Sequence, residues 1–123
     1  MSPSVDFKGR RVLIVEDEVM VAMLIEDMLT DLGCVVAGSA TTLEDAMRLA
    51  TDAEFDCALV DINLQGQPIF PLVDLLRAKG MPFAFATGYG DEELRGVDRE
   101  TPILRKPFRE DDLARVLALL PAP

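Results

Sequence analysis

The feature that most limits the fold of this chain is a set of short apolar runs without alternation. Val12–Val15, Phe83–Ala86 and the brief Ile103-Leu104 carry no polar residue at every second position, and Cys34–Ala37 and Phe55–Val60 are nearly as apolar. Such strands have no face for water, so they belong in a parallel sheet covered by helices on both sides. Between the runs the apolar period lengthens to that of a helix. Val21, Ile25, Met28 and Leu32 recur at i, i+4, i+7 and i+11, with Glu26, Asp27 and Asp31 off the stripe and Gly33 as the stop. Thr41 with Glu44 reads as a capping box opening a helix to about Asp52, with Leu43, Ala46, Met47 and Ala50 inward. A third helix is expected from about Pro71 to Lys79, closed by Gly80. A last one starts near Glu110 and buries Leu113, Val116, Leu117 and Leu120, while Asp91–Arg95 has room for only a turn or two.

Five strand–helix pairs, the fourth helix short or irregular, predict an α/β fold: a doubly wound five-stranded parallel sheet with right-handed crossovers. The 123 residues suit one domain, with 1–9 as a short N-terminal leader and 10–123 as the folded unit. Cys34 and Cys57, each inside an apolar run, read as buried reduced thiols. Met20, Met23 and Met28 on the first helix read as core, or else as packing toward a partner.

Composition removes several kinds of function. Twelve Lys and Arg against 22 Asp and Glu leave a net charge of −10, which repels nucleic acid and favours a cation or a basic partner. The longest apolar runs fall far short of the ~20 residues of a spanning helix, so no membrane segment is expected. Without histidine, the chain has no His-ligated metal, no Ser-His-Asp or Cys-His catalysis and no phosphohistidine of its own. The N-terminus lacks a long apolar stretch, so a cytoplasmic location is expected.

In a doubly wound sheet, ligands bind beyond the carboxyl ends of the strands, where strand order reverses. The residues at those ends are Glu16 and Asp17, then Asp61, Thr87 and Lys106. With order 2-1-3-4-5, the first and third strands are neighbours, and three carboxylates meet beside a hydroxyl and an ammonium. So many carboxylates need a cation, and oxygen ligands without His or Cys favour Mg²⁺. Lys106 and Thr87 then suit the oxygens of a phosphoryl group, and Asp61, at the end of the central strand, suits the nucleophile.

Glu16-Asp17, Asp61, Thr87 and Lys106-Pro107, in that order along nearly the whole chain, resemble a response-regulator receiver domain of the flavodoxin-like (CheY-like) fold. The resemblance implies phosphorylation of Asp61 by a histidine kinase or histidine phosphotransfer protein. Glu16, Asp17, Asp61 and the main-chain carbonyl of Asn63 would hold Mg²⁺. Thr87 would move toward the phosphoryl group, Lys106 would pair with it, and the Lys106-Pro107 peptide would be cis. Asn63 and Tyr89 match positions that tune hydrolysis.

Two features depart from the family pattern. Ile103 stands where an aromatic switch residue is usual, and Thr87 and Lys106 are only 19 positions apart. Both suit a subgroup with a Phe-Ala-Thr-Gly-aromatic-Gly signature, which Phe83–Gly90 resembles; there Tyr89, between Gly88 and Gly90, would be the moving aromatic. The implied protein is a single-domain regulator acting on an unknown downstream protein, a monomer or at most a weak dimer. It would phosphorylate and dephosphorylate itself without being a metabolic enzyme.

Two other functions compete. A small Mg²⁺-dependent phosphatase of the haloacid-dehalogenase type needs an acid two places after the nucleophile, where this chain has Asn63. A pseudo-receiver that binds partners without phosphorylation would leave the acidic set unused, at a cost in stability. A flavodoxin or P-loop nucleotide binder lacks its Gly-rich loop after the first strand.

Overall fold

The computed structural model describes residues 7–88 and 100–122. Strands β1 (Arg11–Val15), β2 (Val35–Ala40), β3 (Cys57–Asp61), β4 (Phe83–Thr87) and β5 (Ile103–Arg105) form one sheet in the order β2-β1-β3-β4-β5. Every pairing is parallel. The expected flavodoxin-like order is therefore present, and its reversal falls between β1 and β3. Helices α1 (Val19–Asp31), α2 (Leu43–Asp52), α3 (Phe70–Ala78) and α4 (Glu110–Leu119) flank it. The short helix expected at Asp91–Arg95 lies outside the described residues, as does Tyr89.

The missing alternation has a direct structural cause. Val12 and Ile14 of β1, Cys57 and Leu59 of β3, and Ala84 and Ala86 of β4 pack against α1 and α4. Their sequence neighbours Leu13, Val15, Ala58, Val60, Phe83 and Phe85 pack on the other face, against α2 and α3. Leu13, Ile14 and Leu59 are at most 1% exposed, and burial of each such side chain stabilises the fold by about 1.5–3 kcal/mol.

The helices follow their apolar stripes, with local corrections. α4 buries Leu113, Val116 and Leu117, and Leu120 just beyond it, as expected. On α1 the fully buried stripe is Ala22, Ile25 and Leu29, while Val21, Met28 and Leu32 flank it half-buried. Small Ala22 lets the helix sit close to the sheet, so the stripe turns by one position. Met20 and Met23 correct the core reading, because both face solvent at 84% and 58% exposure. The cap of α2 is Thr42 rather than Thr41. Its hydroxyl accepts the Asp45 N–H at 3.1 Å, and Glu44 and Asp45 place negative charge in the first turn.

The segment read as a leader reaches the core at its end. Phe7 is buried beside α4, and the buried Arg10 guanidinium lies 5.2 Å from its ring centre. The same guanidinium donates at 3.1 Å to the carbonyl of Leu117, in the last turn of α4, which also accepts the Leu120 amide. Cys34 and Cys57 are buried free thiols, and burial pushes the Cys57 thiol up to about 12.

Candidate functional site

Parallel pairing sets the strand ends level. Val15 is opposite Val60, Asp61 opposite Ala86, and Thr87 opposite Arg105. The ladder continues one step into the loops. The amide of Glu16 donates to Ala40 at 3.0 Å, that of Ile62 to Ala86 at 3.0 Å, and that of Lys106 to Thr87 at 2.8 Å. Polar residues after an apolar strand are therefore delivered to one sheet edge on fixed backbone.

Lys106 joins the far edge of the sheet to its centre. Its Nζ lies 2.6 Å from Glu16 Oε1 and donates to Asp61 Oδ2 at 3.5 Å. Glu16 is 1% exposed, and its Oε2 accepts the Glu18 amide at 3.1 Å. Its Oε1 is held by the short ion pair with Lys106. Asp61 Oδ1 accepts the Asn63 amide at 3.0 Å, and Asp17 Oδ2 accepts the Gln65 amide at 3.0 Å. Gln65 reaches that position with φ +53°, followed by Gly66 at +73°, and the Gly66 amide donates to Asn63 Oδ1 at 3.0 Å. The β3–α3 loop is thus fastened to both acidic strand ends.

A cavity of about 370 Å³ opens above these groups, lined by Asp17, Glu18, Asp61, Asn63, Gln65, Gly88 and Lys106. Burial pushes the Asp61 carboxyl up to about 7, helped by the charge and carboxyl contact of Glu16. The Asn63 amide and Lys106 oppose that rise. Burial pulls Lys106 down, but Glu16, Asp61 and Glu18 outweigh it and leave the ammonium above its ordinary value. Among the described residues the site therefore holds more negative charge than Lys106 balances.

The donors suit a hard divalent cation. Asp17, Asp61 and Asn63, all oxygen-bearing, line the cavity, and the buried Glu16 carboxylate lies beside them. Ligand oxygens of Glu16, Asp17 and Glu18 also lie within 4.8 Å of one another. Of the residues singled out from sequence, Asp17, Asp61, Asn63 and Lys106 line the cavity and Glu16 lies beneath it. Thr87 is 1% exposed at the end of β4, and the Lys106-Pro107 peptide is cis. Glu18, Gln65 and Gly88 were not anticipated as lining residues. For Glu18 the unbroken Glu16-Asp17-Glu18 run was the available signal.

Comparison with known proteins places the chain among relatives. The response regulator receiver domain pattern matches residues 12–118. The chain is 31% identical over 112 residues to the phyllosphere-induced regulator PhyR of Methylorubrum extorquens, covering 87% of this chain and 42% of that protein. The solution structure of SdrG from Sphingomonas melonis Fr1 superposes with TM-score 0.82 at 38% identity, over 90% of this chain and 95% of that one. The BeF3-activated conformation of SdrG from Pseudomonas melonis Fr1 gives TM-score 0.78 at 38% identity, over 89% and 93%. The chain spans half or less of the curated relatives it matches, 42% of PhyR and 50% of the probable transcriptional regulatory protein SilR of Salmonella typhimurium.

Proposed function

The chain belongs to the response regulator receiver domain family, a family of signalling regulators and not of metabolic enzymes, and from that premise we propose that Asp61 accepts a phosphoryl group. The donor is a histidine kinase or histidine phosphotransfer protein, the reaction depends on Mg²⁺, and the output is a changed set of protein contacts. The observation that carries this reading is the placement of Asp61: nearly buried, 3.5 Å from Lys106, on the floor of an oxygen-lined cavity.

The chain's own groups supply orientation and charge. The Asn63 amide fixes the Asp61 carboxylate rotamer, so the oxygen that attacks is aligned before the donor arrives. A carboxylate oxygen of Asp61 forms the new bond to phosphorus as the bond from phosphorus to the donor imidazole nitrogen breaks. The electron pair leaves with the imidazole. Lys106 gives its ammonium, and Thr87 its hydroxyl, to the transferred oxygens. Asp17, Asp61 and the Asn63 carbonyl would hold Mg²⁺, with Glu16 beneath them. When bound, the cation neutralises charge on the phosphoryl oxygens.

The surroundings support a protein donor. Val19, Met20, Met23 and Leu24 expose an apolar face on α1. Beside it a groove of about 360 Å³, lined by Val21, Leu24, Pro107 and Phe108, shares Glu18, Gly88 and Lys106 with the site. The net charge of −10 favours a basic docking surface over nucleic acid or an anionic membrane. Among the described residues no helix is long and apolar enough to cross a membrane. The subgroup reading, with Tyr89 as the moving aromatic in place of Ile103, belongs to the same proposal, as do the cytoplasmic and monomeric readings. The phosphatase alternative finds no acid at Asn63, and the complete acidic set speaks against a pseudo-receiver.

The test is incubation with Mg²⁺ and a phosphorylated histidine donor or acetyl phosphate, followed by intact mass. Wild type gains an alkali-labile phosphoryl adduct and Asp61→Asn does not. An adduct that persists in Asp61→Asn, or a protein indifferent to millimolar Mg²⁺, overturns the reading.

A further inference from the structure

Glu18 stands where two surfaces meet. It lines the cavity above Asp61 and also the apolar groove running toward Leu24 and Phe108. Its side chain is exposed and, although Glu18 is the N-cap of α1, makes no capping hydrogen bond. Its main-chain amide, which any side chain would leave in place, is what binds Glu16. The fold therefore does not use this carboxylate. Its charge nevertheless acts on Lys106 across the mouth of the site.

The charge count gives the carboxylate a consequence. Among the described residues, Glu16, Asp17, Glu18 and Asp61 face one ammonium, Lys106. A divalent cation brings the set without Glu18 to neutrality, and Glu18 takes it one negative charge past that point. An incoming phosphoryl donor is itself an anion, so the last carboxylate opposes its approach. A partner with a lysine or arginine opposite Glu18 cancels that opposition, and its apolar neighbours have the adjoining groove to enter.

We propose that Glu18 is a specificity-determining residue: it disfavours small dianionic phosphodonors at Asp61 and favours donors delivered by a protein surface with a basic side chain at the cavity mouth. This rests on the phosphoryl-accepting reading above. For the small donor, a carboxylate oxygen of Asp61 bonds to phosphorus, the bond from phosphorus to the acyl oxygen breaks, and acetate leaves with the electron pair.

The experiment compares wild type, Glu18→Gln and Glu18→Lys at saturating Mg²⁺. Adduct formation is followed by intact mass with acetyl phosphate, a dianion, and with phosphoramidate, which carries a single net charge. Mg²⁺ affinity is measured separately by titrating amide NMR shifts. At low salt Glu18→Gln is expected to speed the acetyl phosphate reaction about three- to tenfold, and Glu18→Lys further. Phosphoramidate should respond less, and the variants should converge in high salt as screening removes the difference. At the same low salt Mg²⁺, an opposite double charge in the same cavity, should bind Glu18→Gln about three- to tenfold more weakly, a loss that should also fade in high salt. Equal rates in wild type and variants, or one enhancement for both donors at every salt, overturns the proposal. So does a Mg²⁺ affinity that stays more than about tenfold weaker in Glu18→Gln at high salt, which would place the residue in the metal's coordination or its supporting shell. No adduct in any protein from either donor overturns the phosphoryl-accepting reading itself, and this inference with it.

Discussion

Asp61→Asn should make the metal-free protein more stable. In the unfolded chain this carboxyl titrates at an ordinary 3.8, and in the folded state at about 7. A carboxyl whose value rises on folding carries no electrostatic penalty below 3.8 and the whole of it above 7, so stability falls as pH rises through that window. The interval corresponds to about 4 kcal/mol as an upper bound. An amide still has to be buried, beside a Glu16 oxygen able to accept from it. A gain of about 2 kcal/mol at pH 8 is the reasonable expectation. For a domain of this size that is on the order of 8 °C in melting temperature. The assay is thermal or urea unfolding of both proteins in EDTA between pH 4 and pH 8. The gain should shrink steadily toward acid, and millimolar Mg²⁺ should raise the wild type far more than the variant. A variant no more stable than wild type at pH 8, or a gain equal at both ends of the range, would refute the reasoning.

Three further outcomes follow from the same structure. Lys106→Met leaves Glu16 and Asp61 facing each other without a cation; chemical denaturation should show a loss of about 2–3 kcal/mol at pH 8 that lessens near pH 5, where Asp61 is protonated. Leu117→Ala opens a cavity at a fully buried position under α4 and should cost about 3 kcal/mol in urea unfolding, with no change in Mg²⁺ affinity. Asp56 accepts from the Arg11 amide at 2.8 Å and from its guanidinium at 3.1 Å, and these bonds hold its carboxyl below 3.8. Asp56→Ala should cost about 1–2 kcal/mol at neutral pH by the same assay. The deficit should vanish as pH falls through the folded-state value, because a lowered carboxyl stabilises only above it.

The sheet was legible in the sequence because burial on both faces removes alternation, a pattern that Val12–Val15 and Phe83–Ala86 carry openly. The principal side chains of the site were legible for a related reason: each polar residue stands where an apolar run stops. Finer placement depended on features that periodicity does not encode. The one-position turn of the α1 stripe follows from the small size of Ala22, and it leaves Met20 and Met23 outside. Thr41 and Thr42 are equivalent as letters, and only the reach of a hydroxyl to the Asp45 amide selects the second. Gln65 became visible through its left-handed backbone, and Glu18 because the cavity extends past the first two residues after β1. Phe7 joins the cluster of α1 and α4 side chains beneath the Arg10 guanidinium, a long-range contact that no local period announces.

The sheet's shortest strand, β5, hands over to a lysine whose head group rests between acids at the carboxyl ends of the neighbouring strands β1 and β3. One ammonium serves both carboxylates, so a change of charge at Asp61 also changes the balance felt by the buried Glu16.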